Sequence, residues 1–253
     1  MSSTSELATW PRPHYQPGGA RPFLFYKLHG DFTDVPPVSR GAYRTRGLPD
    51  GLETFRVGRA DDPELTALGV DDALGEAVEP SLRAAIRAAP HVMLVRGEPA
   101  ADATLDYLRD TIGVLTALLD AGAVAMFDPQ RFGWWTPAAW RQHVFAPARP
   151  QPWMHVAILS TPEPAAPDRV WIHTRGMRTF GRPDLSIHGV AAAEVPVIEE
   201  LCHRFIGMAA AGVVVPEGQQ VRIGALPGDW RCFHGGDVDD PEFNNVHLEI
   251  RRG

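Results

Sequence analysis

Residues 102–122 are the stretch of sequence that most constrains the fold. Leucine and isoleucine side chains recur there every three or four positions, which marks one face of a helix, and Gly122 provides the C-terminal stop. Short apolar runs at 91–97 and 123–129 flank this segment and have the length and composition of buried strands. The three segments together predict a β-α-β unit, so the chain has to build a sheet with a helix packed on it.

A second long amphipathic helix is predicted over 194–212, again ended by a glycine. Apolar and polar residues alternate in 170–175, 184–189 and 245–251, as expected of strands with one buried face. Strands that follow each other in sequence tend to pair as neighbours. We therefore expect an α+β fold with a mostly antiparallel sheet backed by the two long amphipathic helices.

The domain organisation follows from the distribution of proline and glycine. Residues 1–20 are rich in both and predict an irregular N-terminal lead-in, whereas no low-complexity linker interrupts 21–253, which we expect to form a single α+β domain. A helix, strand, helix order recurs around 79–127 and 170–224, so two related α/β modules are an alternative description. No residue motif repeats between those two segments.

Composition excludes several classes of protein. A hydrophobic fraction of 44% is normal for a packed core, and no apolar run approaches the ~18 residues of a membrane-spanning helix. The net charge of −7 disfavours nucleic-acid binding, and two cysteines do not make a disulfide framework. The N-terminus does not have the pattern of a secretory signal. We expect a soluble protein of a bacterial cytoplasm, with neither nucleic acid nor membrane as a partner.

Strand periodicity brings the polar side chains of three strands to one face of the sheet. Because side chains alternate along a strand, His173 and Arg175 share a face, as do Ser186 and His188 on the next strand. The complete set on this face is predicted to be His173, Arg175, His188, His247, Glu249 and Arg251. The candidate catalytic residues and candidate metal ligands are His173, His188, His247 and Glu249.

Three interpretations of this polar face remain open. Neutral imidazoles and a carboxylate are the usual ligands of a divalent metal, although no HxH or HExxH spacing supports a site. An imidazole could also act as a general acid or base without metal. The third interpretation is that water covers the open face of an antiparallel sheet, where histidine and arginine are ordinary residents. No cofactor is predicted.

Arg175, Arg178 and Arg182 cluster around a Gly-Arg-Pro turn. Guanidinium groups on a turn can clamp a carboxylate or phosphate through paired hydrogen bonds. Asp184 follows closely and could instead form an internal ion pair with one of them. We therefore treat the three arginines as candidate ligand-binding residues for a small anion.

Tryptophans are concentrated just before the helix predicted at 136–145. Trp134 and Trp135 are candidate ligand-binding residues, because exposed tryptophan marks binding sites, but tryptophan beside a helix start is equally typical of a core. An acidic segment at 234–245 lacks the order of a calcium-binding loop, since Pro241 stands where a ligand would be needed. We expect that segment to be a solvated turn.

Other catalytic signatures are missing from the sequence. There is no GxSxG, Walker A or strand-linked GxGxxG motif, and Cys202 and His203 are adjacent on a predicted helix, where neighbours do not face each other. Cys202 is expected to be a small buried hydrophobe.

The segment 174–185 resembles the hallmark hairpin of an uncharacterised bacterial domain family, with the pattern Thr-x-Gly-Met-x-x-Phe-Gly-x-Pro-(Glu/Asp)-Leu. The matching residues are Thr174, Gly176, Met177, Phe180, Gly181, Pro183, Asp184 and Leu185. The resemblance covers about 80–225, and the family normally carries glutamate where Asp184 stands. It implies a fold and a bacterial source and assigns no reaction.

The sequence thus favours a non-catalytic domain that binds another protein or a small anion. A hydrolase that uses the His/Glu cluster, with or without a metal, is the first alternative, and an immunity-type partner of a toxin is the second. An enzyme would require the candidate groups to converge at the floor of a cleft.

Overall fold

The computed structural model describes residues 7–32, 34–224, 226–240 and 242–252. It confirms the α+β class. The chain forms two compact units, of which the first comprises residues up to 11, 23–100 and 104–151, and the second comprises 12–22, 101–103 and 152–253. The prediction of one domain over 21–253 stays a prediction.

The first unit contains a five-stranded sheet with the order β2-β3-β1-β4-β5, in which every pair is antiparallel. Its strands are β1 (Leu24–Gly30), β2 (Leu52–Gly58), β3 (His91–Gly97), β4 (Ala123–Asp128) and β5 (Gly133–Trp135). Its helices are α1 (Arg40–Tyr43), α2 (Pro63–Ala67), α3 (Ala73–Glu76), α4 (Pro80–Ala88), α5 (Asp106–Asp120) and α6 (Pro137–Trp140), the last continued by a π-helical turn at Arg141–Phe145.

The predicted β-α-β unit is present as β3, α5 and β4. Both strands pair antiparallel with β1, which lies between them, so β3 and β4 run parallel to each other. Helix α5 is buried from Tyr107 to Leu119, on all its sides, where the sequence predicts a single apolar face. The charged residues of α5 can be buried because Arg109 pairs with Asp110 at 2.9 Å and with Asp106 at 3.0 Å.

The second unit contains a six-stranded sheet with the order β6-β7-β8-β11-β10-β9. Its strands are β6 (Ala157–Glu163), β7 (Ala166–Arg175), β8 (Asp184–Ala191), β9 (Gln220–Val221), β10 (Trp230–Gly235) and β11 (His247–Arg252). All pairs are antiparallel except β8 with β11. Helix α7 (Val195–Ala210) buries Ile198, Cys202 and Phe205, among other residues, and two 3-10 turns lie at Pro152–Met154 and Met177–Phe180.

The N-terminal segment 12–20 contains neither helix nor strand, yet it is fixed to the second unit. The buried Arg12 side chain donates to the carbonyl oxygens of Phe180, Ala209 and Ala210 at 2.8–3.1 Å. The backbone N–H of His14 donates to Ala211 at 2.9 Å. This part of the lead-in is therefore irregular but anchored.

No helix in the described part of the chain is both long enough and apolar enough to cross a bilayer.

Candidate functional site

The polar residues predicted to share one face of the second sheet do share it. In the strand register His173 lies opposite Ser186, which in turn lies opposite Glu249 on β11. His247 lies opposite Asp184. Because side chains alternate, the residues two positions along each strand extend the same face. We call this surface the polar face, and its members are Trp171, His173, Arg175, Asp184, Ser186, His188, His247, Glu249 and Arg251.

Aromatic and imidazole rings form a continuous row across the polar face. Trp171 stacks on His173 with centroids 3.8 Å apart and on His188 with centroids 5.1 Å apart. Phe243, from the loop before β11, stands edge-on to Trp171 at 5.8 Å and to His173 at 5.7 Å. It also stacks on His247 at 4.6 Å. We call these five side chains the ring row.

Burial divides the polar face into a covered part and an open part. His173 is 5% exposed and Arg175 is 4% exposed, because the loop that carries Phe243 lies over that part of the sheet. The side chains of His188 and Arg251, in contrast, are 53% and 57% exposed. The interpretation of a water-covered sheet face therefore describes one part of the surface only.

The candidate catalytic groups lie on one face, but three of the four pair with different side chains. His188 Nδ1 lies 3.0 Å from a carboxylate oxygen of Glu163, and His247 Nδ1 lies 4.0 Å from one of Asp240. Glu249 pairs with Arg251. Among the described residues no three His, Cys, Asp or Glu side chains come close enough together to hold a metal ion.

The protonation of the polar face follows from burial and neighbouring charges. Burial lowers the pKa of His173 from 6.5 to about 4, and the charges of Arg175 and His188 act in the same direction. The hydrogen bond from Arg251 lowers the pKa of the Glu249 carboxyl. At neutral pH the arrangement therefore holds a neutral imidazole at its centre and an ion pair in its open part.

The Arg182 side chain, which the sequence predicts to bind an anion, is buried and makes hydrogen bonds inside the protein. Its guanidinium donates to the carbonyl oxygens of Gln16, Gly18, Gly181, Gly212 and Val213 at 2.7–2.9 Å. It thereby joins the N-terminal segment to the end of α7.

The other two candidate arginines also have contacts within the protein. Arg178 donates to the carbonyl oxygen of Asn244 at 3.1 Å, and Arg175 is buried, which lowers the pKa of its guanidinium. Anion binding by these arginines stays a prediction.

Asp184 lies at the start of β8 and is fully buried. Its carboxylate accepts hydrogen bonds from the Thr174 hydroxyl at 2.8 Å, the Met177 N–H at 3.2 Å and the Asn245 amide at 2.8 Å. Burial raises the pKa of this carboxyl to about 6, although these hydrogen bonds favour the ionised form. Asp184 therefore organises the connection between β7 and β8 and the start of β11.

Trp134 and Trp135 belong to the first unit and are packed inside it. The Trp134 indole N–H donates to the carbonyl oxygen of Gly69 at 3.0 Å, and its ring lies 4.9 Å from that of Phe127. The Trp135 ring contacts Trp140 at 5.6 Å between centroids. Both tryptophans thus take part in core packing, which was one of the two interpretations, and their ligand binding stays a prediction.

The acidic segment before β11 uses its carboxylates on its own backbone. Asp240 accepts from the N–H groups of Glu242 at 2.9 Å and Phe243 at 3.2 Å, and Asp237 accepts from that of Asp239 at 2.9 Å. These bonds shape the loop that places Phe243 over the polar face.

A cleft of 470 Å³ opens in the second unit at the end of the sheet where β8 and β11 begin and β10 ends. We call it the sheet-end cleft. It is lined by Gly19, Ala20, Arg182, Pro183, Val214, Val215, His234, Gly235, Gly236, Val238 and Val246. Sequence reasoning did not identify it, because its walls come from five separate segments of the chain.

The sheet-end cleft adjoins the ring row through two glycines. A methyl group at Gly235 would lie 2.9 Å from the His247 ring, and one at Gly236 would lie 2.7 Å from it, so a larger residue at either position would require the imidazole to shift. On the same strand His234 donates from Nε2 to the carbonyl oxygen of Val215 at 2.8 Å. The Gly-Gly pair at the end of β10 was the one sequence signal of this close approach.

Comparison with protein-family models, with curated proteins and with solved structures finds no match to the chain. The likeness of 174–185 to a family hairpin therefore stays a resemblance.

Proposed function

We propose that the chain is a non-catalytic binding protein that captures a segment of another protein in the sheet-end cleft. The observation that carries this proposal is the cleft itself, because 470 Å³ falls within the range of about 300–1,000 Å³ typical of ligand sites. Its lining of valine, proline and glycine backbone suits a short peptide segment with small aliphatic side chains.

The engagement of the surrounding groups favours binding over catalysis. A nucleophile and a base within hydrogen-bond reach of each other would be expected in a hydrolase. On the polar face His188 and His247 instead face different carboxylates, and His173 is buried against the Trp171 ring with a lowered pKa. The hydrolase and toxin-immunity alternatives stay predictions, and no structural observation favours either.

The partner class is proposed to be a protein, because the guanidinium that lines the cleft is already used. Arg182 donates hydrogen bonds to five backbone carbonyl oxygens. These bonds stabilise the fold and occupy the donors that would otherwise bind an anion. A bacterial cytoplasm is proposed as the compartment, which fits the two buried free thiols of Cys202 and Cys232.

The proposal is tested by selecting random-sequence peptides displayed on phage against the purified chain. The blocked variant is Val238→Trp, which places an indole in the cleft from a residue that is already 40% exposed. The matched control is Ala193→Trp, at an exposed turn position of the same unit outside the cleft lining. Selected peptides are expected to bind the parent and the control and to lose at least about tenfold in affinity for Val238→Trp. Equal binding to all three proteins, or no enrichment over an unrelated protein, would overturn the proposal.

A further inference from the structure

We infer that the segment taken by the sheet-end cleft carries a basic side chain next to a small aliphatic one. This inference rests on the proposed function, since it names the chemistry of the partner for the same cleft. Three features of the cleft support it. The floor is apolar, the rim is acidic, and the one arginine of the lining, Arg182, already donates to backbone carbonyl oxygens.

The floor of the cleft accepts an aliphatic side chain. Pro183 and Val246 immediately precede β8 and β11, and Val214 and Val215 follow α7, so the starts of two strands and the segment after a helix contribute apolar surface. A partner's valine or isoleucine would be stabilised by burial against these side chains. Apolar burial alone, however, would not discriminate between partners.

The rim of the cleft is acidic. Asp237 and Asp239 precede and follow Val238, and both are exposed. Glu217 is also exposed and accepts the backbone N–H of His234 at 2.7 Å, which fixes its carboxylate beside the cleft wall. These three carboxylates lie on a chain with a net charge of −7. A cationic side chain at the rim would therefore be attracted both locally and over a longer range.

The positive groups at the cleft are few. Arg21 follows Ala20 of the lining, His234 donates from Nε2 to Val215, and Arg182 is held by carbonyl oxygens. The only lysine of the chain, Lys27, belongs to the first unit. The three carboxylates of Asp237, Asp239 and Glu217 outnumber the positive charges of Arg21 and Arg182, so a cationic segment would meet complementary net charge at the cleft.

The test uses three synthetic peptides of equal length, with the sequences Gly-Val-Arg-Val-Gly, Gly-Val-Gln-Val-Gly and Gly-Val-Glu-Val-Gly, all with blocked ends. Binding to the ¹⁵N-labelled full chain is followed by shifts of backbone amide signals at low and high salt. The arginine peptide is expected to shift the amides of Gly235, Gly236 and Val246, to bind at least about tenfold tighter than the glutamate peptide, and to weaken with salt.

Charge is separated from shape by the double variant Asp237→Asn with Asp239→Asn. Asparagine keeps the side-chain oxygen that accepts the Asp239 N–H, so the loop hydrogen bond is preserved. The variant is expected to lose about two- to tenfold in affinity for the arginine peptide and none for the glutamine peptide. Asp168→Asn, at an exposed position near the start of β7 in the same unit, is the matched control and should bind as the parent does.

The outcomes distinguish the inference from the proposed function. If all three peptides bind equally and Val238→Trp removes their binding, the cleft captures peptides but the inference about charge is wrong. If none of the peptides shifts the cleft amides and the phage selection also enriches nothing, both proposals are overturned. Tighter binding of the glutamate peptide would overturn the inference alone.

Discussion

Trp171 and His173 stack with their ring centroids 3.8 Å apart and their planes 18° from parallel. They are two positions apart on β7, so their side chains point to the same face of the sheet. The Trp171 indole N–H donates to the Ser186 hydroxyl at 2.9 Å, which fixes the Trp171 ring to the neighbouring strand. His173 is consequently held as a neutral ring within the ring row. Protonation of His173 would place a positive charge in this buried position and destabilise the folded protein.

His173→Phe is expected to make the protein more resistant to acid. The pKa of His173 in the folded chain is about 4, below the unfolded value of 6.5, so the unfolded chain takes up this proton first as the pH falls. The free energy of unfolding of the parent should therefore decrease between about pH 6.5 and about pH 4, by up to about 3 kcal/mol from this residue. Phenylalanine keeps the ring contacts and removes this decrease, which urea unfolding at several pH values would show.

The control for this comparison is His203→Phe, because His203 is exposed on α7 and is not among the charges that lower the pKa of His173. Its acid response should remain that of the parent. Asp184 titrates in an overlapping range with the opposite sign, since burial raises its pKa, but it is common to all three proteins and cancels in the differences. A parallel decrease for His173→Phe and the parent would contradict the interpretation of His173 as a buried neutral ring.

Arg182→Lys is expected to destabilise the second unit although it keeps the charge. An ammonium group has three donors on one atom and cannot reach the five carbonyl oxygens that the planar guanidinium spans. We expect a loss of about 3 kcal/mol or more in the free energy of unfolding and faster proteolysis within 16–20, measured by urea unfolding and limited digestion. Arg204→Lys, an exposed position on α7, should have no such effect.

The elements with strong periodicity could be predicted from the sequence, and so could the shared orientation of the polar face. Period-2 alternation sufficed to bring His173, His188 and His247 to one side, because a strand offers only two faces. Gly176 and Gly181, which belong to the hairpin pattern, have left-handed backbone with φ values of 112° and 62°, a conformation that glycine tolerates. The connection between β7 and β8 contains a 3-10 turn at Met177–Phe180, which the alternation of apolar and polar residues does not predict.

The functional geometry could not be predicted, because it depends on segments far apart in sequence. Whether the polar face is open depends on the loop that carries Phe243, and the role of Arg182 depends on carbonyl groups at 16–18 and 212–213. Neither the positions of backbone carbonyl groups nor the course of a loop can be read from the pattern of side chains in the sequence. The burial of α5 on all sides was not predicted either, because the pairing of the adjacent Arg109 and Asp110 makes charged positions compatible with a core.

Lys27→Met is expected to destabilise the first unit and to change its response to alkali. The Lys27 ammonium is buried and donates to the carbonyl oxygens of Leu65 at 2.6 Å and Leu68 at 2.7 Å, at the end of α2. Methionine would leave both acceptors without this donor, at a cost of about 2–4 kcal/mol in the free energy of unfolding.

The ionisation of Lys27 makes the free energy of unfolding depend on pH in the alkaline range. Burial lowers the pKa of the folded state from 10.5 to about 8, so the folded chain releases this proton first as the pH rises. The parent should gain stability between about pH 8 and about pH 10.5, and Lys27→Met should lack that gain. Arg40→Met, an exposed change in α1, should retain the gain. An equal response in the parent and Lys27→Met would show that Lys27 is not buried as described.

Both thiols are expected to be inert in the folded protein. Cys202 and Cys232 are buried and free, and burial raises the pKa of their thiols to about 12 and about 11. Because the thiolate is the reactive form, a disulfide reagent such as DTNB should label neither residue at neutral pH until the chain unfolds. Ser160→Cys, at an exposed position of the edge strand β6, should react at once and serves as the positive control. Rapid labelling of Cys202 in the parent would mean that α7 opens from the sheet under native conditions, and the walls that α7 supports around the sheet-end cleft would then open with it.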